Sequence, residues 1–295
     1  MPSRVVICSK SVQSTPAFKT DPGAMRHSIK IGGLQRDIDI RPMDEDFIVY
    51  RKMYVPPLTR ENISEINPGD WREHLEEFKR AGWQQLIREF LRRQVRALGS
   101  CAVLGWEGNG VVAKMYFTAA EMYDAFKARG GCPCVESRSM PAVIESLKEE
   151  EVTELLKSPS RTLRILCFNV GHFDRRYHGQ GIATAMIECL KQWARARGWR
   201  RILADSCPDI TPTTVIGNYM LRRGPLERRG FRELERTLAS PEQAQARLNA
   251  IEVYASGKRD HPIWVDWYVR NFARHYADPA WRSEYDFDYV MAYDL

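Results

Sequence analysis

The residues best placed to do chemistry form a glycine-bearing turn between an apolar strand and an amphipathic helix. The turn is the run RYHGQGIA at 176–183, and it follows a predicted strand over 161–170 and opens a predicted helix over 182–198. The first N–H groups of a helix have no intrahelical partner, and the helix dipole adds partial positive charge there. The turn therefore suits a phosphate or a pyrophosphate.

Three phosphate-binding patterns can be compared with this turn. The Walker loop is excluded because no Gly-Lys-Ser or Gly-Lys-Thr occurs after the glycines. The dinucleotide fingerprint requires a third glycine where this chain has Thr184. The pattern that remains is Arg/Gln-x-x-Gly-x-Gly/Ala, which is filled by Arg176, Gly179 and Gly181.

The elements that must position the turn follow from apolar periodicity. Alternation predicts a strand over 37–43, and helical spacing predicts a helix over 83–98. Asn109-Gly110 predicts a hairpin over 101–118. Beyond the turn and its helix, strands are predicted over 200–206, from Gly230-Phe231 to about 238, and over 286–295. The strand–helix–strand unit around the turn favours parallel pairing of its two strands.

The motif and this order of elements resemble the GNAT N-acetyltransferase superfamily, over 37–238 and 286–295. The resemblance implies an α/β (α+β) fold with a GNAT-like mixed, largely antiparallel twisted sheet of about six to seven strands, a central splay and flanking helices. It also implies one acyltransferase domain over 36–295. Residues 1–35 lack sustained periodicity and carry Ser, Thr, Pro and Gly, so a mobile N-terminal arm is expected there, which could carry a short docked strand. Helical insertions are expected at 119–160 and 239–285, where the family varies its acceptor side.

The resemblance implies acetyl-CoA as the acyl donor. The pantetheine arm would pair with the edge of the central strand as an added strand does, and the pyrophosphate would lie on the amides of 177–183. Both glycines would let the backbone approach it closely. The expected coenzyme-binding residues are Phe168, Asn169, Val170, Arg176, Tyr177, His178, Gly179, Gln180, Gly181, Ile182, Ala183 and Asn218.

Direct acyl transfer in a ternary complex requires a polarised thioester carbonyl, a base for the amine and an acid for the thiolate. A backbone N–H within 169–171 would polarise the carbonyl. The family's usual acid, a Tyr, is replaced here by Leu226, so Tyr219 is the candidate acid, with core packing as its alternative role. His172 is the candidate base, although a structural or solvent-facing role also fits it. Further candidates are Glu121 and Asp174 for the base, and Cys207 and Tyr254 for the acid.

Composition limits the class of protein. Hydrophobic residues make up 44% of the 295 residues and charged residues 28%, as in an ordinary globular protein. No apolar stretch approaches the roughly 20 residues of a membrane-spanning helix, and the seven scattered cysteines favour a reducing, cytoplasmic location. Cys167 is expected to pack in the core. Cys132 and Cys134 have no second pair at zinc-site spacing, so no metal is expected.

The predicted function is transfer of an acetyl group from acetyl-CoA to a primary amine of a small molecule or a peptide. Because Leu226 stands at the usual Tyr position, a non-catalytic acyl-CoA-binding or regulatory module is one alternative. Arginine clusters at 92–96, 195–201 and 222–229 leave an RNA or ribosomal substrate as another, without a nucleic-acid motif behind it. An aromatic face over 264–272 is expected to pack on the core or to form a homodimer.

Overall fold

The computed structural model describes residues 23–50, 82–133, 139–171, 175–207, 221–255 and 274–295. Within these residues the chain forms one mixed sheet with helices on both faces. The strands are β1 (Met25–Ile31), β2 (Leu34–Pro42), β3 (Ala102–Glu107), β4 (Gly110–Ala119), β5 (Thr162–Val170), β6 (Arg201–Cys207), β7 (Leu221–Arg222), β8 (Arg232–Leu238) and β9 (Phe287–Asp294). The helices are α1 (Trp83–Leu98), α2 (Ala120–Ala128), α3 (Met140–Ser146), α4 (Glu149–Lys157), α5 (Ile182–Ala196), α6 (Arg223–Glu227), α7 (Pro241–Ala255) and α8 (Pro279–Tyr285).

The spatial order of the strands is β1-β2-β3-β4-β5-β6-β9-β8, and β7 pairs with β6. Pairing is antiparallel except between β5 and β6 and between β6 and β7. The predicted mixed, largely antiparallel α/β sheet with flanking helices is therefore confirmed. The described part of the sheet has nine strands instead of six to seven. The difference comes from β1 and from the two-residue β7.

Strand β1 corrects the prediction of a mobile arm over 1–35. Its seven residues pair with β2 in continuous antiparallel register, from Met25 opposite Ile40 to Ile31 opposite Leu34. The side chains of Ile29 and Ile31 are buried, and Gly32 and Gly33 both have positive φ in the connecting turn. Burial of apolar side chains and a complete hydrogen-bond ladder fix this segment. The short docked strand that the arm could carry is therefore present as β1, and residues 25–35 are part of the sheet.

Helix α5 packs on one face of the sheet, as its apolar pattern predicts. Ile182, Met186, Ile187, Leu190 and Ala194 are buried, and Ala183 is half-buried. Trp193 is also fully buried, and its ring lies 5.0 Å from that of Phe117 on β4. Because Thr118 is next to Phe117, it points to the opposite face, where its hydroxyl donates to Gln94 of α1 at 2.6 Å.

The insertion at 119–160 is helical, as predicted, and supplies α2, α3 and α4. These helices pack with α1, on the face opposite α5. Phe126 of α2 contacts Phe90 of α1, with ring centroids 5.6 Å apart. The buried side chains that these three helices add to the core are Met122, Tyr123, Phe126, Met140, Val143, Ile144, Val152 and Leu156.

Within the second insertion, 239–285, the structure describes residues 239–255, which include α7, and residues 274–285, which include α8. Arg247 of α7 forms ion pairs with Asp286 and with Asp288 of β9. The hydroxyl of Tyr276 donates to the other oxygen of Asp286 at 2.5 Å, and both Tyr276 and Asp286 are buried. This network fixes α7 against the last strand. The aromatic face over 264–272, and with it the predicted homodimer contact, lies outside the described residues.

Helices of the described ranges are all too short or too polar to cross a membrane.

The contact between Trp193 and Phe117 predicts a large loss of stability in Trp193→Ala. Removing a fully buried indole leaves a cavity between α5 and the sheet, and such changes cost about 3–5 kcal/mol. Chemical unfolding measures the change. The matched control is Leu34→Ala, because Leu34 is 65% exposed. A Trp193→Ala variant within about 0.5 kcal/mol of the wild type would contradict this packing of α5.

Candidate functional site

Strands β5 and β6 pair at one end of the sheet and separate at the other. Their parallel register runs from Thr162 opposite Arg201 to Ile165 opposite Ala204 and then ends. Beyond that point β5 continues to pair with β4 as far as Val170, whereas β6 pairs with β9 as far as Ser206 and with the two-residue β7 at Ser206 and Cys207. The predicted central splay is therefore confirmed. It leaves a cleft between the carboxyl-terminal halves of β5 and β6.

A bulge marks the place where the two strands separate. Tyr116 of β4 is opposite Cys167 and Phe117 is opposite Ile165, so Leu166 is an extra residue on β5. A bulge bends its strand and strengthens the local twist. Leu166 directly follows Ile165, the last residue of β5 paired with β6. The bulge thus provides a physical cause for the splay, and the sequence pattern did not reveal it.

The splay leaves backbone groups of β5 without a strand partner among the described residues. Gly171 donates its N–H to Val112 of β4 at 2.7 Å, so this residue points toward β4. Successive residues of a strand alternate in hydrogen-bond direction. Phe168 and Val170 therefore point their N–H and C=O groups away from β4, into the cleft. A backbone N–H within 169–171 was expected to polarise the thioester carbonyl. Of these three residues only Val170 points its N–H into the cleft, because Asn169 and Gly171 point toward β4.

The glycine turn leads directly into α5. Gly179 and Gly181 have φ of 70° and 77°, a region that L-residues with side chains avoid. Gly181 is the N-cap of α5, and no side chain caps the helix. A Cβ added at Gly179 would meet nothing within 4 Å. The turn therefore presents uncapped first-turn amides beside open space, as an anion site requires.

The side chain of Tyr177 anchors this turn to the sheet. Tyr177 is 4% exposed, and its hydroxyl donates to Glu107 at the end of β3 at 2.5 Å. Arg36 of β2 donates to the other oxygen of Glu107 at 2.7 Å. Burial acts to raise the pKa of Glu107, but the hydrogen bonds from Tyr177 and Arg36 outweigh it and hold that pKa below its ordinary value. Only the backbone of Tyr177 is therefore available for the predicted coenzyme contact.

Two histidines hold the turn through backbone carbonyls. His27 of β1 places Nε2 2.7 Å from the carbonyl oxygen of Gln180, and His178 places Nε2 2.9 Å from that of Val170. Because a carbonyl only accepts, Nε2 donates in both contacts. His178 was predicted to contact phosphate, but in this structure its ring donates to the carbonyl oxygen of Val170 at the edge of the cleft. His27 was missed because its strand was interpreted as part of the arm.

Arg229 is a second residue that the sequence interpretation missed. It lies after α6 in the arginine cluster at 222–229, and its Nη2 donates to Thr184 in the first turn of α5 at 3.2 Å. The positive end of a helix dipole disfavours a cation nearby. An anion between the helix start and the guanidinium would be attracted to both and would offset the repulsion between them. The position of Arg229 therefore favours a negatively charged ligand. No local motif marks this residue.

The candidate catalytic residues are described only in part. His172, Asp174, Asn218 and Tyr219 lie outside the described residues, so their roles stay predictions, as does that of the side chain of Tyr254. Leu226, which replaces the family's Tyr, is fully buried. It therefore fills the core.

Cys207 and Glu121 fit catalytic roles poorly. Burial raises the pKa of Cys207 to about 12, so proton donation to a thiolate of pKa near 8.5 would be uphill. Glu121 accepts from Ser158 at 2.8 Å and from the N–H of Ser160 at 3.0 Å, and so holds the turn before β5.

The remaining cysteine predictions concern Cys167, Cys132 and Cys134. Cys167 is 2% exposed, which agrees with a place in the core. No three His, Cys, Asp or Glu side chains within the described ranges are grouped to hold a metal ion. Cys134 lies outside these ranges.

The hydrogen bonds that Glu107 accepts from Tyr177 and Arg36 predict that the stability of the folded protein depends on pH. Because the folded-state pKa of Glu107 is lowered, its contribution is complete above the unfolded pKa of about 4.3 and is lost as pH falls through the folded value. The melting temperature of Glu107→Gln should be below that of the wild type at pH 7, and the difference should shrink below about pH 4. Glu154→Gln, at an exposed pair with Lys157, should show no such difference. A difference that is independent of pH would contradict the anchor.

Three of the solved structures that resemble the chain each cover most of its length. Ard1 from Thermoplasma volcanium is 9% identical, with 88% of this chain and 97% of that chain covered at a TM-score of 0.37. Drosophila melanogaster polyamine N-acetyltransferase is 13% identical, with 88% and 100% covered at 0.38. An agmatine N-acetyltransferase is 12% identical, with 88% and 99% covered at 0.39.

No protein-family model and no curated protein matches the chain. The structure itself has the strand order, the splay of β5 from β6 and the glycine turn before α5 that the predicted resemblance requires. The chain therefore has the mixed, largely antiparallel fold that its resemblance to the GNAT N-acetyltransferase superfamily implies.

Proposed function

We propose that this chain is an acyl-CoA-dependent N-acyltransferase that acetylates a primary amine of a small molecule or a peptide. The observation that carries the proposal is the end of β5–β6 pairing beside the uncapped start of α5. One feature offers the edge of a strand to a peptide-like ligand, and the other offers backbone amides to an anion. A coenzyme A molecule combines both chemistries.

The described residues fit the two ends of this donor. Amides of the turn and of the first turn of α5 would hold the pyrophosphate, with Gly179 leaving room and Arg229 adding a guanidinium. Phe168 and Val170 would hold the amides of the pantetheine arm. His178 already donates to the carbonyl oxygen of Val170, and the second lone pair of that oxygen would accept an N–H of the pantetheine arm. Asn218 remains a proposed contact.

Bound acetyl-CoA would supply a thioester carbonyl carbon, at which the C–N bond to the amine forms as the C–S bond breaks. The chain's part is to polarise that carbonyl and to handle two protons. The N–H of Val170 in the cleft would donate to the carbonyl oxygen, and such fixed donors contribute several kcal/mol to acyl transfer. We propose His172 to take the proton from the amine and Tyr219 to donate one to the leaving sulfur.

A non-catalytic acyl-CoA-binding module is the second candidate function. The burial of Leu226 favours it, because a core residue occupies the position of the family's usual acid. The arginine clusters add little support for an RNA substrate. Many of these arginines are in ion pairs, including Arg92 with Glu89, Arg201 with Asp294 and Arg223 with Glu227.

Thermal unfolding with coenzyme A, followed by a turnover assay, tests the proposal. A ligand at 100 times its Kd should stabilise the protein by about 2.7 kcal/mol. Release of free thiol from acetyl-CoA in the presence of primary amines should then report transfer. Protection without turnover across the amines would favour the binding module. Absence of protection at saturating coenzyme A would reject the acyl donor itself.

Alanine at Gly179 should weaken coenzyme A binding about ten- to hundredfold. A Cβ there would point into the space assigned to the pyrophosphate, and hydrogen bonds to a charged group are worth about 1.5–3 kcal/mol. Titration calorimetry with coenzyme A measures the change. Gly108→Ala in the β3–β4 turn is the matched control, because it too has positive φ and nothing within 4 Å. Both variants should lose about 1 kcal/mol of stability. Equal coenzyme A affinity in the two would contradict the assignment of the turn.

A further inference from the structure

A polar cluster lies where β5 and β6 separate, on the face opposite α5. The cluster consists of Arg164 on β5, Asp205 on β6 and Tyr123 on α2. Asp205 directly follows Ala204, the last residue of β6 paired with β5. It therefore stands at the start of the cleft, next to the bulge at Leu166. None of the residues predicted from the sequence belongs to this cluster.

The carboxylate of Asp205 is held from two sides. Tyr123 donates its hydroxyl to Oδ2 at 2.8 Å, and Arg164 donates from Nη2 to Oδ1. The guanidinium of Arg164 also lies over the ring of Tyr123, with 4.4 Å between Cζ and the ring centroid. Burial, and next the charge of Asp205, raise the pKa of Tyr123, so its hydroxyl remains a donor at neutral pH.

The exposure of the three side chains decides which one a ligand can reach. Tyr123 is 8% exposed and the side chain of Arg164 is 11% exposed, with its Nε buried. The side chain of Asp205 is 33% exposed. Each carboxylate oxygen can accept two hydrogen bonds, and the described contacts use one on each. A ligand would therefore reach the carboxylate of Asp205, which is held in place and can accept further hydrogen bonds.

We propose that Asp205 binds the amino group of the acceptor, and that Tyr123 and Arg164 are positioning residues that hold its carboxylate. This inference rests on the proposed function and gives the substrate class as a cationic amine. The start of α5 lies at the other face of the sheet, so donor and acceptor would enter the cleft from opposite faces. The amine would then meet the thioester at the open edge of β5.

Steady-state kinetics of Asp205→Asn tests the proposal, with tyramine, putrescine and spermidine as amine probes and acetyl-CoA as donor. Loss of a hydrogen bond to a charged group should raise the KM for the amine about ten- to hundredfold. The Kd for coenzyme A, measured separately by calorimetry, should stay within about twofold, because Asp205 is not part of the phosphate turn. Asp39→Asn on β2 is the control and should change neither value.

Asp205→Asn leaves the buried Arg164 without its counterion, which can unfold a protein. The double variant Arg164→Met/Asp205→Asn removes both charges and should show the same rise in amine KM. Tyr123→Phe keeps the ring and the ion pair; it should raise the amine KM severalfold with kcat little changed, which a merely structural role would not do.

An unchanged amine KM in both Asp205 variants would overturn the inference alone. A wild type that binds coenzyme A but turns over none of the three cationic amines would favour the binding module, and would overturn transfer to amines together with the inference. Failure to bind coenzyme A would instead reject the proposed function.

Discussion

The functional part of this molecule depends on one constraint, which is that β5 and β6 can pair over only four residues. A backbone N–H or C=O that leaves a sheet must find another partner, since leaving it unpaired away from water is costly. The bulge at Leu166 turns β5 away from β6 while its pairing with β4 continues. The backbone groups of Phe168 and Val170 are thereby kept for something other than the sheet.

The rest of the fold fixes this opening in place. On one face, α5 is held by Trp193 against Phe117, so its uncapped start is aimed at the same end of the sheet. The turn before it is held by the buried hydroxyl of Tyr177 on Glu107. On the other face, α2 brings Tyr123 to Asp205 at the start of the cleft. Two faces with different chemistry thus meet at one opening, as a reaction between two substrates requires.

Much of the geometry around the glycine turn could be predicted from sequence because it depends on local rules. The local unit consists of an apolar strand, the glycines at 179 and 181, and an amphipathic helix. These three parts follow one another within about 35 residues, so the order of the sequence alone indicates the strand–turn–helix unit. The splay followed from the family resemblance, and its cause, the extra residue Leu166, leaves no mark in the alternation of β5. The bounds of β1 were not predicted, because Ser, Thr, Pro and Gly around it weaken the periodicity, whereas pairing with β2 decides its structure.

Contacts between distant segments could not be predicted in this way. Tyr177 meets Glu107 across 70 positions, Arg229 meets Thr184 across 45, and Tyr123 meets Asp205 across 82. None of these pairs has a spacing that a periodic pattern reports. A family motif can also imply a role that a residue of this chain does not have. The family has an acid at the position of Leu226, whereas Leu226 is buried in the core.

Hydrogen–deuterium exchange with and without coenzyme A tests the central claim most directly, because it reports the backbone amides that the splay and the glycine turn set aside. Slower exchange on binding is expected in peptides that cover 166–170 and 179–184, and the β1–β2 turn at Gly32-Gly33 should be unchanged. Slower exchange elsewhere in the chain, with these two segments unaffected, would contradict the central claim.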